Sequence, residues 1–415
     1  MSPTPSLLRQ DALFRWKEFL PRVAAYARLR NHVSPEHENV SRLSPALRFR
    51  TLLEDEIIGE TLAEHSFAAG EKWLQEVCWR RYWKGWLEMR PQVWRDWRKR
   101  VATLRSTLPA TTLARAEAVM SGASGVASMD QIACELIETG YLHNHARMWW
   151  ASFWIHVEQL PWELGADFFF RHLLDADPAS NTLSWRWVAG LQTKGKTYLV
   201  RLSNIEKYAP HYLGSGSQGS ERLADSAVTT HGPFDSTEYK PCPLPELPIA
   251  PPPFQGPCGL WLHHDDLVPE VGPLASLAPA SIAACVSEPV YQQRYRLSPR
   301  RVASLRTVLA DGLSRARNHY RCPTHALESA CVASALCSWA KAQGLREVVA
   351  FAPMVGPVAD TVPRLTALLE SQQIRLTLIR RPSDARAFSF AGAGFFPFWQ
   401  KMSRHLQSPQ EVSRF

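Results

Sequence analysis

Apolar residues recur at helical spacing through the first half of the chain. The stretch GEKWLQEVCWRRYWKGWLEM keeps this period between Gly70 and Pro91, which bound it. A second stretch, SMDQIACELIETGYLHNHARMWWASFWIHV, has the same period and is interrupted by Gly140. Alternating β-branched residues are almost absent from this half. The pattern therefore predicts an all-helical region over residues 1–212.

The pattern changes at Cys258, where short apolar runs begin to alternate with amphipathic stretches. Strands are predicted for CGLWLHHDDL, SIAACVSEPV, REVVAFAP and IRLTLIRRP. Helices are predicted for SPRRVASLRTVLADGLSRA, ALESACVASALCSWAKAQGL and DTVPRLTALLESQQ. This order favours a Rossmann-like parallel sheet flanked by helices, although no G-x-G-x-x-G follows the first strand. The predicted fold class is thus α plus α/β.

A segment rich in Gly, Ser and Pro separates these two regions. It spans residues 213–257 and contains the run Pro251-Pro252-Pro253. Such a composition is typical of a linker, and its Pro-rich part is expected to be extended. We therefore predict a helical domain over 1–212, a linker over 213–257 and an α/β domain over 258–415.

The composition narrows the classes of function. The 415 residues carry a net charge of +8, which is compatible with a polyanionic partner. None of the eight cysteines forms Cys-x-x-Cys, so no metal is expected. No signal core and no apolar window of membrane-spanning length are present, which predicts a cytoplasmic protein. Sixteen tryptophans exceed ordinary usage and leave room for stacking or redox roles.

The stretch LLDADPASNTLSWRWVAG, residues 173–190, combines polar and aromatic groups that core packing does not require together. Its polar and aromatic members include Asp175, Asp177, Asn181, Trp185 and Trp187. A helical face upstream carries Asn144, Arg147 and Met148. If Arg147 pairs with one of the two carboxylates, the other is left to accept a hydrogen bond from a ligand. A purely structural salt bridge is the alternative.

A third pattern is a helix face whose members follow one another at spacings of three, four and three. These members are Trp73, Glu76, Arg80 and Trp83. Tryptophans that pack inward and a surface pair of Glu76 with Arg80 are the alternative interpretation. From Arg80 to Arg105 the chain has nine basic residues against two acids. This stretch is either a solvated helical face or a rim that binds phosphates.

Two serines mark a predicted helix start. Ser41 and Ser44 precede an amphipathic segment that contains Pro45. Free backbone N–H groups and hydroxyls at such a start can hold a phosphate. Simple capping is the alternative.

Four motifs in this order resemble the FAD-binding helical domain of the DNA photolyase and cryptochrome family. They are YARLRNHVSPEHENVSRLSPALRF, WLQEVCWRRYW, TGYLHNHARMWWASF and LLDADPASNTLSWRWVAG, and the resemblance runs from Tyr26 to Tyr198. The residues that it assigns to FAD binding are Tyr26, Ser41, Arg42, Leu43, Ser44, Trp73, Arg80, Asn144, Arg147, Asp175, Asp177 and Asn181. It implies that Arg147 and Asp175 form a buried pair beside the isoalloxazine and that Asn181 lies near flavin N5.

The resemblance also implies light-driven repair of cyclobutane pyrimidine dimers in DNA by electron transfer from excited reduced FAD. The residues that it assigns to this reaction are Glu76, Trp79, Met148, Trp162, Asn181, Trp185 and Trp187. Trp79 and Trp187 would flank a flipped-out dimer, and Glu76 would bind its bases. The implied partner is DNA with pyrimidine dimers, with no membrane, and a monomer is expected. The alternatives are a cryptochrome-like blue-light photoreceptor without repair activity and a flavoprotein scaffold without photochemistry.

The chain departs from the family pattern at several positions. Val40 replaces a hydroxyl residue of the phosphate loop, and Arg50 replaces a common glycine. After the Trp-x-Trp pair the chain reads AGLQTKGKTY, which places Lys194 and Lys196 at the rim of the site. These changes leave the choice of substrate open.

The electron relay of the family usually has three tryptophans. Trp185 and Trp162 match the inner two, and the outermost position falls on Pro109. The candidates for the missing member are Trp94, Trp97, Trp150 and Trp154.

The order of the two domains also differs from the family. In the family an α/β antenna domain precedes the flavin domain, whereas here the α/β region follows it. GLWLHHDDL is similar to the opening strand of that domain, and FSFAGAGFFPFWQKM is similar to its end. We therefore expect a circularly permuted member, with any second antenna chromophore left unidentified by the sequence. An unrelated α/β domain fused downstream is the alternative.

Overall fold

The computed structural model describes residues 7–193, 196–213, 218–224, 228–229 and 237–408. Helices precede a five-stranded parallel sheet, which confirms the predicted α plus α/β class. Lys194 lies outside the described residues. Within the described ranges, no helix has the length and apolar character needed to cross a bilayer.

The elements are numbered in chain order. The helices before the sheet are α1 (Arg9–Phe19), α2 (Val23–Leu29), α3 (Ser44–Phe49), α4 (Glu54–Glu64), α5 (Phe67–Glu88), α6 (Gln92–Thr107), α7 (Ala110–Met120), α8 (Ala127–Thr139), α9 (Asn144–Ser152), α10 (Trp162–His172), α11 (Pro178–Val188) and α12 (Leu202–Tyr208). The later elements are β1 (Cys258–Leu262), β2 (Ser281–Val286), α13 (Pro299–Tyr320), β3 (Thr324–Glu328), α14 (Val332–Ala342), β4 (Glu347–Phe351), α15 (Val362–Glu370), β5 (Arg375–Ile379), α16 (Pro382–Phe390) and α17 (Phe395–Leu406).

Local chemistry sets the ends of the long helices, with one correction to the predicted starts. Gly140 has φ 71° and ends α8, as its position in the sequence predicted. Helix α5 begins at Phe67, before Gly70, because the Ser66 side chain accepts a hydrogen bond from the Ala69 N–H and caps it. Gly70 therefore lies inside the first turn of α5.

The sheet has the strand order β3-β2-β1-β4-β5, with all neighbours parallel. Four of its strands were predicted, but β3 was assigned to a helix. The segment Thr324–Glu328 is an edge strand that is only partly buried, so it lacks the continuous apolar run that marked the other strands. The side chains of β1, in contrast, are buried along the whole strand.

The described residues form two compact units. The helical unit contains residues 24–42 and 92–240, and the mixed unit contains residues 7–23, 43–91 and 241–408. The mixed unit thus joins the sheet to helices from the first quarter of the chain. These units do not coincide with the predicted ranges. Composition shows where the character of the chain changes, but it does not show which segments pack together. The predicted domain division stays a prediction.

An apolar core fills one side of the sheet in the mixed unit. Trp261 of β1 packs with Trp339 and Leu336 of α14 and with Leu365 of α15. The Trp339 indole N–H donates to the Ser281 hydroxyl at 3.2 Å. Gly259 of β1 allows this packing, since a Cβ there would lie 2.5 Å from the Trp339 ring.

A network of buried ion pairs lies within the mixed unit. Arg50 binds Asp384 with two hydrogen bonds of 2.7 Å and also contacts Asp266 at 3.1 Å. Arg381 binds the same Asp266 with bonds of 2.6 and 2.7 Å. Arg48 donates to Asp265 at 2.9 Å. The network therefore connects the end of α3 to the segments that follow β1 and β5.

Pairing decides the ionisation of these carboxylates. Burial alone would raise the pKa of Asp384, but Arg50, Arg81 and Lys84 together outweigh it and hold this pKa well below its usual range. The pKa of Asp266 is lowered in the same way, against its burial, by Arg381 and Arg50. Both carboxylates are thus ionised in the folded chain at neutral pH.

We expect Asp384→Ala to lower the free energy of unfolding by about 3 kcal/mol, because it leaves the buried Arg50 without its main partner. Lys17→Ala is the matched control, since it breaks an ion pair with Glu60 in which the two side chains are 60% and 34% exposed. Urea unfolding followed by circular dichroism measures both changes. Equal midpoints for the two variants would show that the network does not stabilise the fold.

Candidate functional site

The stretch LLDADPASNTLSWRWVAG, residues 173–190, contains α11 and the residues just before it. Asp177 caps this helix, and its Oδ1 accepts hydrogen bonds from the N–H groups of Ala179 at 3.0 Å and Ser180 at 2.9 Å. Pro178 occupies the first helical position, where no N–H is needed. The Leu174 N–H donates to the Gly140 carbonyl at 2.8 Å, which holds the stretch against the end of α8.

Arg147 and Asp175 form the ion pair that the resemblance implied. Two parallel bonds of 3.0 and 2.9 Å join the guanidinium to the carboxylate, and the Arg147 Nε–H donates to the Leu142 carbonyl at 2.9 Å. The Asp175 side chain is 2% exposed and that of Arg147 is 23% exposed. A bidentate pair of this kind fixes the plane of the guanidinium and leaves part of the arginine accessible.

Tyr141 lies beside this pair and was not singled out from the sequence. The guanidinium carbons of Arg147 and Arg42 lie 5.7 and 5.9 Å from the centre of its ring. Burial raises the pKa of Tyr141 to about 12, although Arg147 acts in the opposite direction. The motif TGYLHNHARMWWASF contains this residue, but the sequence analysis assigned no role to it.

Asn181 and Trp185 lie one turn apart on α11 and share a face of it. The Asn181 amide donates to the Ala166 carbonyl at 2.9 Å, and its side-chain oxygen accepts no hydrogen bond among the described residues. The Trp185 ring packs on Gly165, where a Cβ would lie 2.4 Å from the indole. A glycine in α10 is therefore what lets this tryptophan approach.

The tryptophans near Trp185 differ from the predicted relay. Trp150 lies 6.2 Å from Trp185 and 5.2 Å from Trp154, measured between ring centres. Trp162 is buried beside Arg186, whose guanidinium carbon lies 6.0 Å from its ring centre, and within the described residues no ring contact joins it to Trp185. Of these two tryptophans, Trp150 is therefore the one in ring contact with Trp185. The role of Trp162 stays a prediction.

The remaining predicted residues of the helical unit fall into separate groups. Asn144 and Met148 contact each other, with 3.6 Å between the amide nitrogen and the sulfur. Trp187 packs on Tyr198 at 5.8 Å. Tyr26 lies 6.0 Å below the Arg30 guanidinium carbon. Ser41 and Arg42 are half-buried.

In the mixed unit the predicted residues line α3 and α5. Ser44 is the first residue of α3, and the buried Leu43 precedes it. Trp73 is buried and stacks on Trp16 at 5.7 Å. Arg80 is half-buried, and its Nη1 has no hydrogen-bond partner within the described part of the chain.

Glu76 and Trp79 have contacts in the mixed unit that the sequence did not predict. Glu76 pairs with Lys72 at 3.2 Å, whereas the alternative interpretation of the sequence paired it with Arg80. Trp79 stacks face to face on Phe395 of α17 at 3.6 Å. The segment around Phe395 was identified only as the end of an α/β domain, so its approach to α5 was not foreseen.

Much of the basic stretch 80–105 binds acids of the same chain. Arg98 and Arg105 of α6 bind Asp167 of α10 at 2.6 and 2.7 Å. Arg100 binds Glu163 at 2.6 Å. Arg81 and Lys84 are buried in the mixed unit. Exposed cations with no acid partner in these bonds, such as Arg95 and Lys99, are thus few, and the stretch serves largely to hold helices together.

Histidines line the start of α9. The His143 Nδ1 accepts the His145 N–H at 3.1 Å and caps the helix. Burial, together with the nearby His145, His37 and Arg147, lowers the pKa of His143 to about 3. His37 binds Glu135 at 3.0 Å, and the Tyr212 hydroxyl donates to the same carboxylate at 2.5 Å.

Comparison with known proteins gives one family match. Residues 73–212 match the family model described as the FAD binding domain of DNA photolyase. The deoxyribodipyrimidine photo-lyase of Streptomyces griseus is 35% identical over 154 residues, which is 37% of this chain and 32% of the relative. That of Escherichia coli is 30% identical over 168 residues, which is 40% of this chain and 35% of the relative. The chain thus spans about a third of the length of these relatives.

One solved structure with similarity is a cryptochrome from Synechocystis. It is 23% identical, with a TM-score of 0.43 over 50% of this chain and 46% of that one.

We expect His143→Asn to make the helical unit more tolerant of acid. Wild-type His143 stays neutral when folded but takes up a proton below about pH 6.5 when unfolded, so the folded state loses about 1.4 kcal/mol per pH unit below that value. Asn keeps the cap but does not titrate. Relative to pH 7, the variant should gain about 2 kcal/mol over wild type at pH 5 in urea unfolding. Parallel pH profiles for the two proteins would contradict this account.

Proposed function

We propose that the chain, whose residues 73–212 match the model of the FAD binding domain of DNA photolyase, binds FAD and uses light to repair cyclobutane pyrimidine dimers in DNA. The observation that carries the proposal is the arrangement around α11. This helix presents Asn181 and Trp185 on one face, directly after the Arg147–Asp175 pair. The matching curated relatives bear the name deoxyribodipyrimidine photo-lyase.

The chemical groups of the helical unit suit a flavin. The ring edge of a flavin offers hydrogen-bond donors and acceptors, and the Asn181 side-chain oxygen is open to such a donor among the described residues. The partly exposed Arg147 guanidinium suits an anionic or electron-rich ring. When bound and reduced, FAD supplies the electron that opens the dimer.

Each residue around α11 has a separate task in this proposal. Asp175 holds the Arg147 guanidinium in one plane, so the positive charge keeps a fixed position. Asn181 is neutral. A negative charge at this position would disfavour the reduced flavin, and Asn181 adds none. Asp177 binds two N–H groups of α11 through Oδ1, so it orients the helix and leaves Oδ2 for the predicted contact.

A blue-light photoreceptor without repair activity is the second candidate. The observation that favours it is the departure after the Trp-x-Trp pair, where the chain reads AGLQTKGKTY and the rim of the predicted site carries two lysines. Both candidates require FAD, so the presence of flavin does not separate them. The circular permutation stays a prediction in either case.

Repair is tested with an oligonucleotide that carries one thymine dimer. The purified protein with reduced FAD should restore the dimer to two thymines under blue light and not in the dark. Glu76→Ala should lower the yield with FAD content unchanged, whereas Lys72→Ala, which breaks the same surface pair but keeps the carboxylate, should not. Photoreduction of bound FAD without any loss of dimer would reject repair and leave the photoreceptor.

We expect Trp185→Phe to nearly abolish photoreduction of bound oxidised FAD, because phenylalanine is much harder to oxidise than tryptophan. Trp150→Phe should slow it more than Trp162→Phe does, since the Trp150 ring, which can be oxidised, lies 6.2 Å from that of Trp185. Absorbance during blue illumination measures the rates. All three variants should still repair dimers after chemical reduction. A larger effect of Trp162→Phe would restore the relay that the resemblance implies.

A further inference from the structure

The closest ring stack in the mixed unit joins Trp79 of α5 to Phe395, the first residue of α17. The ring centres lie 3.6 Å apart and the planes differ by 6°. This is about the separation of stacked bases, so the Phe395 ring lies flat against one face of the Trp79 indole. Phe395 itself is 6% exposed.

Several contacts hold α17 in this position. The Trp399 ring stacks on Phe67 at 6.1 Å, and its indole N–H donates to Glu71 at 3.3 Å. Phe398 is fully buried and packs on Tyr82 at 5.5 Å. These contacts lie along more than three turns of α5, so the helix is fixed in place and does not act as a lid.

The segment before α17 is also bound to α5. The Tyr82 hydroxyl donates to the Ala393 carbonyl at 2.9 Å, and Arg90 donates to the Gly392 carbonyl at 3.1 Å. A Cβ on Gly85 would lie 2.9 Å from Ala391, so the two segments of the chain are already in close contact. Phe395 thus enters its stack from a connection with little freedom.

Two aromatic residues of α5 also contact the Trp79 ring. The Trp83 ring lies 5.1 Å away in a tilted arrangement, and the Tyr82 ring lies 5.5 Å away edge-on. These contacts fix the plane of the Trp79 indole, which is only half-buried and so stays partly accessible. A wall that is already ordered loses no side-chain entropy when a flat ligand stacks on it.

We propose that Phe395 is a positioning residue for lesion recognition. It fixes the Trp79 plane so that a flipped pyrimidine dimer stacks on the opposite face of the indole. The inference rests on the proposed function, since Trp79 has this role only in a protein that binds such lesions. Base stacking on an aromatic side chain is sensitive to the orientation of that side chain, so loss of the Phe395 ring should weaken lesion binding without touching the lesion.

The test is dark binding of oligonucleotides with and without a thymine dimer, measured by fluorescence anisotropy. Phe395→Leu should lower the ratio of the two affinities about tenfold, with FAD content unchanged. Phe396→Leu is the matched control, because the neighbouring ring is 77% exposed. Phe395→Tyr keeps a flat ring and should restore the ratio. If Phe395→Leu folds poorly, Phe395→Met takes its place in the test. Methionine fills the space of the ring with a flexible side chain, so this variant should also lower the affinity ratio.

Trp79→Leu separates a failure of this inference from a failure of the proposed function. If Trp79→Leu lowers the affinity ratio but Phe395→Leu matches Phe396→Leu, Phe395 has no positioning role and the lesion site stands. If Trp79→Leu leaves the ratio unchanged, Trp79 does not touch the lesion, and both the inference and that part of the proposed site are overturned. A reduced ratio in both variants, restored by Phe395→Tyr, supports the inference.

Discussion

Buried charge has to be paired, and this constraint organises both units of the molecule. In the mixed unit Arg50 lies between Asp266 and Asp384, with side chains that are at most 3% exposed. In the helical unit Asp167 receives Arg98 and Arg105. Removing an ion from water costs several kcal/mol unless such a partner is present, so each pair selects the one arrangement of segments that provides it.

This requirement explains an unusual residue at the end of α3. Arg50 has φ 50°, a left-handed conformation that favours glycine, and glycine is common there in the family that the sequence resembles. The arginine takes on the backbone strain, and its guanidinium binds two carboxylates from segments that follow β1 and β5. The departure from the family pattern thus serves the joint between α3 and the sheet.

The candidate site follows from the same physics on a smaller scale. Asp177 fixes the start of α11 by capping, and the Arg147–Asp175 pair fixes the chain just before it. Gly165 then lets the Trp185 ring approach α10. A positive charge, a neutral amide and an oxidisable ring are therefore held by local interactions of the helical unit, which suits a cofactor that changes its electron count.

The sequence by itself determined the periodic elements and the local motifs. Apolar periodicity predicted α5, α8 and four strands, because such signals depend on neighbours within a few residues. The edge strand β3 was missed because it lacks a continuous apolar run. Only the tertiary structure decided that Trp150 is a ring neighbour of Trp185, that Phe395 stacks on Trp79 and that Arg50 binds Asp384. These contacts join residues up to hundreds of positions apart, and their partners are selected by packing and charge compensation, which no local pattern records.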